Sequence, residues 1–232
     1  MTTLLIATRN THKVGEIRAI LGGRFQFLTL NDFPGAPKVV EDATAFAGNA
    51  TKKAVELAHW LSGSQPSTPN PQQFFVLADD SGLEVDALNG VPGVHSARFA
   101  ALDSAKSSNT PDADNNAKLL RLLKDVPLGK RTARFHCVLA LTPVLPGKIE
   151  NASPVCYADE FEMQTELFDG VCEGRMGFEP LGRNGFGYDP LFFPAGFEQT
   201  FAELGEEVKN KLSHRAKALE KLKEFFTTNK LR

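Results

Sequence analysis

Two adjacent acids, Asp79 and Asp80, follow an apolar run in the middle of the chain and precede Ser81-Gly82. The apolar run, Phe74 to Ala78, is short and has turn residues behind it, which is typical of a buried strand. Such a strand would deliver both carboxylates to the carboxyl edge of a sheet, where open α/β sheets bind ligands. The alternative is that the two acids only cap a turn, and this stretch alone does not decide between the two interpretations.

Lys13 is a second candidate, because it lies where a helix is predicted to begin. Residues 4–7 predict a short strand, residues 8–13 a polar turn, and residues 14–21 a helix with one apolar face. Strand, turn and helix in this order present backbone N–H groups to an anion. A lysine in the first helical turn opposes the helix dipole, so Lys13 is either a solvated residue or a contact to a bound anion.

A third group combines Glu41 with Lys53. Glu41 precedes a predicted helix, and Asn49 and Lys53, four residues apart, share one face of it. The apolar stripe beside that face consists of Phe46, Ala50, Ala54, Leu57 and Leu61.

Residues 182–194 (GRNGFGYDPLFFP) combine glycine, aromatic rings and one acid. Glycine lets the backbone approach a ligand, and Phe186 and Tyr188 offer rings on which a nucleobase could stack. An ordinary turn with core aromatics explains the segment equally well.

The C-terminal helix contains a charge anomaly. Ser213 is a suitable N-cap, and His214 and Arg215 then fall in the first turn, where the dipole disfavours cations. Lys209 lies just upstream. Departures from a local rule tend to mark functional or strained sites. A solvated basic face is the competing explanation, because Lys217, Lys221 and Lys223 follow on the same helix.

Together these residues suit a magnesium-bound nucleoside polyphosphate. The chain offers acids for a divalent cation (Glu41, Asp79, Asp80), cations for phosphates (Lys13, Lys53, Lys209) and rings or donors for a base (Phe186, Tyr188, His214, Arg215). Mg²⁺ takes oxygen ligands and is commonly shared between one or two carboxylates and substrate phosphates.

Composition limits the other classes of function. The chain has 232 residues, of which 42% are hydrophobic and 23% charged, and its net charge of −2 argues against a general nucleic-acid binder. The three cysteines are widely spaced and form no CxxC pair, which predicts reduced thiols in a cytoplasmic protein. No apolar run approaches the ~20 residues of a membrane span, and the N-terminus does not resemble a signal peptide.

The remaining segments predict core elements and loops. Residues 25–30 and 133–141 predict strands, residues 115–124 a leucine-rich helix, and residues 156–172 one or two strands. His136 is interpreted as a hydrogen-bonded sheet histidine. Loops are predicted over residues 32–38, 62–73, 104–114 and 143–154. No linker separates two autonomous domains, so residues 1–232 are expected to form one domain.

Five segments resemble the inosine triphosphate pyrophosphatase family, the Ham1-like non-canonical purine NTP pyrophosphatases. They are ATRNTHK at 7–13, ADDSGLEVDALNGVPGVHSAR at 78–98, ARFHCVLAL at 133–141, GFGYDPLFF at 185–193 and KNKLSHRAKAL at 209–219. The segments occur in the family's order and span most of the chain. The ARFHC segment is similar to the bacterial branch.

The resemblance implies a two-lobed α/β protein with a long twisted mixed β-sheet, flanking helices and a substrate cleft between the lobes. It also implies a homodimer that hydrolyses ITP, dITP and XTP to the monophosphate and pyrophosphate, which removes deaminated purines from the nucleotide pool.

Roles for single residues follow from the same resemblance. Asp80 matches the family's catalytic acid and metal ligand, Glu41 a second ligand of Mg²⁺, and Ser81 a substrate contact, with Asp79 as a further candidate ligand. Triphosphate contacts would come from Thr8, Arg9, Asn10, Thr11, His12, Lys13 and Lys53. Contacts to the base and phosphates would come from Phe186, Gly187, Tyr188, Asp189, Lys209, His214 and Arg215.

One segment departs from the family pattern. The family commonly reads close to ETGxTFxENA around the second helix, whereas residues 41–50 here read EDATAFAGNA. Ala43, Ala45 and Gly48 replace the usual residues, and the loss of an acid at Gly48 is expected to alter the metal shell or the pH optimum. Residues 62–73 and 104–114 form loops that are long for the family, which we interpret as surface variation.

Three other functions stay open at this point. A Maf-type pyrophosphatase would share the metal chemistry but act on pyrimidine or modified nucleotides. A phosphatase with Asp79 as its nucleophile would release phosphate in place of pyrophosphate. A nucleotide-binding sensor would keep the pocket without turnover, and the presence of Asp80, Glu41 and Lys13 argues against it.

Overall fold

A mixed six-stranded sheet carries the fold in the computed structural model, which describes residues 1–64, 74–103, 109–145 and 160–228. The strands are β1 (Thr2–Ile6), β2 (Phe25–Thr29), β3 (Phe74–Val85), β4 (Thr132–Pro143), β5 (Glu166–Met176) and β6 (Phe192–Pro194). Their order is β2-β1-β3-β4-β5-β6. β1 runs parallel to both β2 and β3, and β5 runs antiparallel to β6, so the predicted mixed sheet is confirmed.

Six α-helices accompany the sheet within the described residues. They are α1 (Thr11–Leu21), α2 (Phe46–Ser64), α3 (Asp112–Leu122), α4 (Glu160–Met163), α5 (Phe201–Leu212) and α6 (His214–Thr228). The apolar stripe predicted for α2 is confirmed, because all five of its residues are buried. No helix in the described ranges is both long and apolar enough to cross a bilayer.

The chain divides into two compact units. The first comprises residues 1–80, 138–168 and 219–232, and the second comprises residues 81–137 and 169–218. The sequences of β3, β4 and β5 therefore each contribute residues to both units. This division agrees with the two lobes that the family resemblance implies. The cleft between them and the single domain over residues 1–232 stay predictions.

The first unit has a core of aliphatic strand and helix residues. Leu4, Leu5 and Ile6 of β1 are all buried, as expected for a parallel strand covered on both faces. At its margin the ring of Phe226 packs against Phe25 and Phe75, with ring centroids 5.1 Å and 5.6 Å apart.

The second unit has a core rich in aromatic rings. Phe135 lies 4.6 Å from Phe192, and Phe192 lies 5.4 Å from Phe201, measured between ring centroids. The buried members of this core are Leu83, Val85, Phe99, Leu119, Leu123, Ala133, Phe135, Cys172, Met176, Tyr188, Leu191, Phe192 and Phe201.

Several elements differ from the predictions. Helices α1, α2 and α3 include residues 11–13, 62–64 and 112–114, which were predicted as turn or loop. β3 continues to Val85 and does not end before Asp79. Residues 160–163 form the short helix α4 and not a strand, because Phe161 is buried and packs against the ring of His59 at 4.0 Å. Helix α5 was not predicted at all. Its start at Thr200 has a capping box with Glu203, which is the sequence pattern that would have revealed it.

Several predictions fall wholly or partly outside the described residues. These are most of the loop over residues 62–73, the first part of the loop over 104–114, most of the loop over 143–154, and Cys156. His136 lies in β4, as predicted, with its Nδ1 atom 3.9 Å from the carboxylate of Glu84.

Gly170 in β5 determines how closely α6 approaches the sheet of the second unit. A Cβ at this position would lie 2.1 Å from the backbone oxygen of His214 and 2.6 Å from the backbone nitrogen of Ala218.

We therefore expect Gly170→Ala to lower the free energy of unfolding by about 1–3 kcal/mol, because the helix backbone cannot move aside cheaply. Urea unfolding measures this change. As a control, a Cβ at Gly129 would meet nothing within 4 Å, so Gly129→Ala should change stability by less than about 0.5 kcal/mol. Equal midpoints for the two variants would contradict this packing.

Candidate functional site

Asp79 and Asp80 lie inside β3, just beyond the point where β1 stops pairing with it. The last paired residues are Ile6 and Leu77, and the backbone nitrogen of Ala7 donates to the carbonyl oxygen of Leu77 at 2.8 Å. Both carboxylates are therefore near the carboxyl end of β1, where ligands bind in parallel sheets. Asp79 is 2% exposed and Asp80 is 6% exposed, so the interpretation as a solvated turn cap is wrong.

Lys13 forms a buried ion pair with Asp79. Its ammonium contacts Asp79 Oδ1, and the Asp79 side chain is 1% exposed. This contact accounts for a cation in the first turn of α1, because the carboxylate compensates the unfavourable helix dipole. Asn10 caps the same helix, and its side chain accepts hydrogen bonds from the backbone nitrogens of His12 and Lys13 at 2.9 Å and 3.2 Å. Two of the N–H groups predicted to face an anion are thus bonded within the protein.

Lys53 joins the segment before α2 to β3. Its ammonium lies 3.1 Å from Glu41 Oε1 and donates to the backbone oxygen of Asp79, also at 3.1 Å. The structure thus brings five predicted residues together, which we call the carboxylate–lysine cluster: Lys13, Glu41, Lys53, Asp79 and Asp80.

Asn49 belongs to this cluster, although it was not predicted as a site residue. It is 1% exposed, accepts from the backbone nitrogen of Ala43 at 2.9 Å and donates to the Ala43 oxygen at 3.3 Å. Its amide is also close enough to Asp80 to lower the pKa of that carboxyl. The sequence contains one sign of this role, since a polar residue stands directly before Ala50 of the apolar stripe on α2.

The carboxylate of Asp80 lies in an environment that disfavours its charged form. Burial raises the pKa of Asp80. The neighbouring charges of Lys13 and Lys53 and the amide of Asn49 lower that pKa, whereas the charge of Glu41 raises it. The net shift of the pKa is upward. Among the described residues, Oδ2 of Asp80 has no hydrogen-bond partner. A buried acceptor left without a partner is costly, and such atoms commonly await a ligand.

The oxygen donors fit a cation shared with a ligand. Within the described part of the chain, no group of three or more His, Cys, Asp or Glu side chains is placed to hold a metal ion. Asp79 is engaged by Lys13, whereas Asp80 offers an unbonded oxygen and Glu41 is only half-buried. This donor set suits Mg²⁺, which binds through one or two carboxylates and completes its shell with phosphate oxygens and water.

Gly48 faces the segment that carries Glu41. A Cβ at Gly48 would lie 2.8 Å from the Cβ of Ala43, which is closer than carbon atoms approach. The two departures from the family pattern at residues 43 and 48 are thus in contact.

A second cluster forms around the turn that contains Phe186. Asp189 accepts from the backbone nitrogen of Phe186 at 2.9 Å and from the ammonium of Lys209 at 2.5 Å. That ammonium also lies 4.3 Å from the centroid of the Phe186 ring, a cation–π distance. Lys209 is 3% exposed, so Asp189 and the ring stabilise a buried charge.

The start of α6 completes this second cluster. Ser213 caps the helix as predicted, accepting from the backbone nitrogen of Ala216 at 3.1 Å. Arg215 is buried and donates to Ser81 Oγ at 2.9 Å, with its guanidinium carbon 6.0 Å from the Phe186 ring centroid. His214 is also buried and stacks on Phe135. The solvated basic face therefore does not include these two residues. We call Ser81, Phe186, Asp189, Lys209 and Arg215 the Phe186 cluster.

Tyr188 has a different position from the one predicted. It is 4% exposed within the aromatic core, and its hydroxyl donates to the backbone oxygen of Ser96 at 2.9 Å. Burial raises the pKa of its hydroxyl. The ring is therefore a core residue and presents no face to a base, which agrees with the alternative interpretation of this segment.

The other predicted residues lie at the start of α1 or on turns. Arg9, Asn10, Thr11 and His12 are exposed at the start of α1, Thr8 is half-buried before them, and Gly187 is half-buried in the turn of the Phe186 cluster. Asp80 and Ser81 are consecutive, so one peptide bond links the two clusters along the chain.

A sequence profile of the Ham1 family matches residues 4–225. The chain belongs to the Ham1 family. It is 43% identical over 224 residues to the dITP/XTP pyrophosphatase of Shouchella clausii (strain KSM-K16), covering 97% of this chain and 96% of that protein. It is 44% identical over 225 residues to the dITP/XTP pyrophosphatase of Geobacillus kaustophilus (strain HTA426), covering 97% and 94% of the two chains.

Solved structures of Ham1 proteins share the fold of this member. The Ham1 protein of Coxiella burnetii superposes with a TM-score of 0.75 at 33% identity, covering 98% of this chain and all of that one (100%). The Ham1 protein of Staphylococcus aureus gives a TM-score of 0.74 at 31% identity, covering 98% and 99% of the two chains. The family predicted from the five sequence segments is confirmed.

The environment of Asp80 predicts that its charge costs stability. Because the pKa of Asp80 is raised in the folded state, folding takes up a proton when the pH lies between the ordinary aspartate pKa of 3.8 and the raised value. The free energy of unfolding therefore falls as the pH rises through that interval. Asp80→Asn removes the ionisable group and with it this pH-dependent loss of stability. We expect the variant to have a higher Tm than the wild type at pH 7 in EDTA, with the difference shrinking as the pH falls towards 3.8.

Asp42→Asn is the matched control for this measurement. Asp42 precedes helix α2. Unlike Asp80, it is exposed and pairs with Lys52 at 2.7 Å, which lowers the pKa of its carboxyl. Its replacement should not raise Tm at pH 7. An Asp80→Asn variant that is less stable than the wild type in EDTA would show that the carboxylate is a net stabilising group.

Proposed function

We propose that this Ham1-family protein hydrolyses ITP, dITP and XTP to the nucleoside monophosphate and pyrophosphate and so removes deaminated purines from the nucleotide pool. The observation that carries the proposal is the Asp80 carboxylate, which is buried beside two lysines and keeps an unbonded oxygen. The relatives named dITP/XTP pyrophosphatases support the substrate class over nearly the full chain.

Asp80 is assigned the chemical role, and Asp79 a supporting one. The carboxylate of Asp79 holds the Lys13 ammonium, so it serves as a counter-ion and is poorly suited as a nucleophile. Asp80 would orient the attacking water and take its proton, and a raised carboxylate pKa makes it a better base than an ordinary aspartate. A water aligned against the α-phosphate leads to pyrophosphate as the leaving group.

Asp80 and Glu41 would hold Mg²⁺ together with the substrate phosphates. When bound, the ion supplies neutralisation of the charge that develops on the phosphate oxygens. Lys13 and Lys53 would add positive charge on the same side, and the turn of residues 8–13 would contact the remaining phosphates. Positioning and electrostatics of this kind can carry most of a phosphoryl-group reaction.

The Phe186 cluster would recognise the base. Stacking on the Phe186 ring tolerates any base, so discrimination must come from hydrogen bonds to the purine edge. Hypoxanthine and xanthine present an acceptor at the 6-position where adenine presents a donor. Donors of Arg215, His214 or nearby backbone nitrogens would pair with the acceptor and stay unpaired against adenine. Each unpaired buried donor costs about 1–3 kcal/mol, or roughly 5- to 150-fold in discrimination.

Two further properties follow from the family resemblance. The protein would act as a homodimer in the cytoplasm. Size-exclusion chromatography with light scattering tests the first property, and fractionation of the source cells tests the second.

A substrate panel tests the reaction. With Mg²⁺ and, separately, dITP, XTP, dATP, dGTP and dTTP, we expect pyrophosphate and monophosphate chiefly from dITP and XTP. Asp80→Asn should lower kcat by about 10²–10⁴-fold, because the base is lost. Product analysis by ion-exchange chromatography separates pyrophosphate from phosphate.

Other outcomes of the panel point to the other functions. Pyrophosphate mainly from dTTP would indicate Maf-type specificity, and phosphate as the first product would contradict the role of Asp80. Binding of dITP without any product would indicate a sensor.

A further inference from the structure

The backbone of Gly187 is held on both sides by helix α3. Its nitrogen donates to Asp112 Oδ2 at 2.6 Å, and its oxygen accepts from Asn116 Nδ2 at 3.0 Å. Asp112 and Asn116 are four residues apart, so they occupy one face of the helix. Neither residue was predicted as a site residue.

The turn around Phe186 has little conformational preference of its own. Gly185 and Gly187 flank the ring and adopt φ values of +78° and +63°. At Gly187 a Cβ would meet nothing within 4 Å, so glycine is required there by the backbone angle and not by space. Two glycines next to an aromatic residue leave its direction poorly determined, and contacts from outside the turn must determine it.

From outside the turn, Asp112 and Asn116 hold Gly187, and Lys209 lies against the Phe186 ring. Within the turn, Asp189 accepts from the nitrogen of Phe186. Asn116 is 8% exposed, and its Oδ1 atom has no hydrogen-bond partner among the described residues. A buried amide with one unsatisfied atom is a poor choice for stability alone. Such departures from local rules tend to be found where a residue serves function.

We propose that Asp112 and Asn116 are positioning residues that orient the Phe186 ring and thereby determine affinity for the nucleobase. This inference rests on the proposed function, in which Phe186 stacks on the base. The two residues act on substrate only through the turn, so their loss should weaken base binding and leave phosphate chemistry intact.

Asp112→Ala tests the inference, with Asp114→Ala as the matched control. Both acids lie in the first turn of α3 and both are exposed, so both variants remove the same helix-dipole interaction, but only Asp112 bonds to Gly187. We expect Asp112→Ala to raise the KM for dITP about three- to tenfold, the range for an ordinary hydrogen bond lost at an exposed position, with kcat changed less than about twofold. Asp114→Ala should leave both constants within about twofold of wild type.

Inhibition by pyrophosphate separates base recognition from general damage. Pyrophosphate lacks a base, so its inhibition constant should be the same in Asp112→Ala and in the wild type. An unchanged KM for dITP, an equal effect of Asp114→Ala, or a parallel rise in the pyrophosphate inhibition constant would each overturn the inference. Asn116→Ala, checked for a cooperative thermal transition, should raise KM in the same way.

Phe186→Ala distinguishes failure of this inference from failure of the proposed function. A raised KM in Phe186→Ala together with an unchanged KM in Asp112→Ala overturns only the positioning role. An unchanged KM in Phe186→Ala overturns the proposed base contact and the inference with it.

Discussion

The ion pair between Lys13 and Asp79 makes it possible to bury two adjacent carboxylates in one strand. An isolated charge in the interior costs several kcal/mol or more, and Asp79 avoids this cost because a lysine from α1 reaches it. Asp80 lies near the same lysine and near Lys53, but among the described residues its Oδ2 atom has no hydrogen-bond partner. The same contact relieves the repulsion between Lys13 and the N-terminus of its own helix. Helix start, strand and candidate catalytic group thus depend on one interaction.

Elements with a strong apolar period could be predicted from the sequence, whereas the full length of β3 and the helix α5 could not. The stripe on α2 was predicted in full because burial there needs only hydrophobic contact. The length of β3 was underestimated, because Asp79 is buried by a partner 66 positions away that no local pattern reveals. Helix α5 contains a non-helical glycine at residue 205, which interrupts the regular helix.

The candidate site also contains residues that could be predicted from the sequence and residues that could not. Residues that carry an obvious charge, such as Lys13, Lys53 and Arg215, were predicted to act in the site, and they do lie in the two clusters. Residues that act through geometry were missed. Asn49 is recognisable only once Ala43 and Asp80 are seen on either side of its amide. Tyr188 was misassigned because the sequence does not tell a ring that stacks on a ligand from one that fills a core.

The contact between Ala43 and Gly48 restricts the side chains that the two positions can carry together. The family pattern has glycine at residue 43 and an acid at residue 48. In the present chain residue 43 is alanine and carries the Cβ, and residue 48 is glycine. Since two Cβ atoms cannot occupy this space at 2.8 Å, a chain that carried both at once would have to shift the segment of Glu41. A side chain at residue 48 therefore requires either glycine at residue 43 or a shift of the segment that carries Glu41.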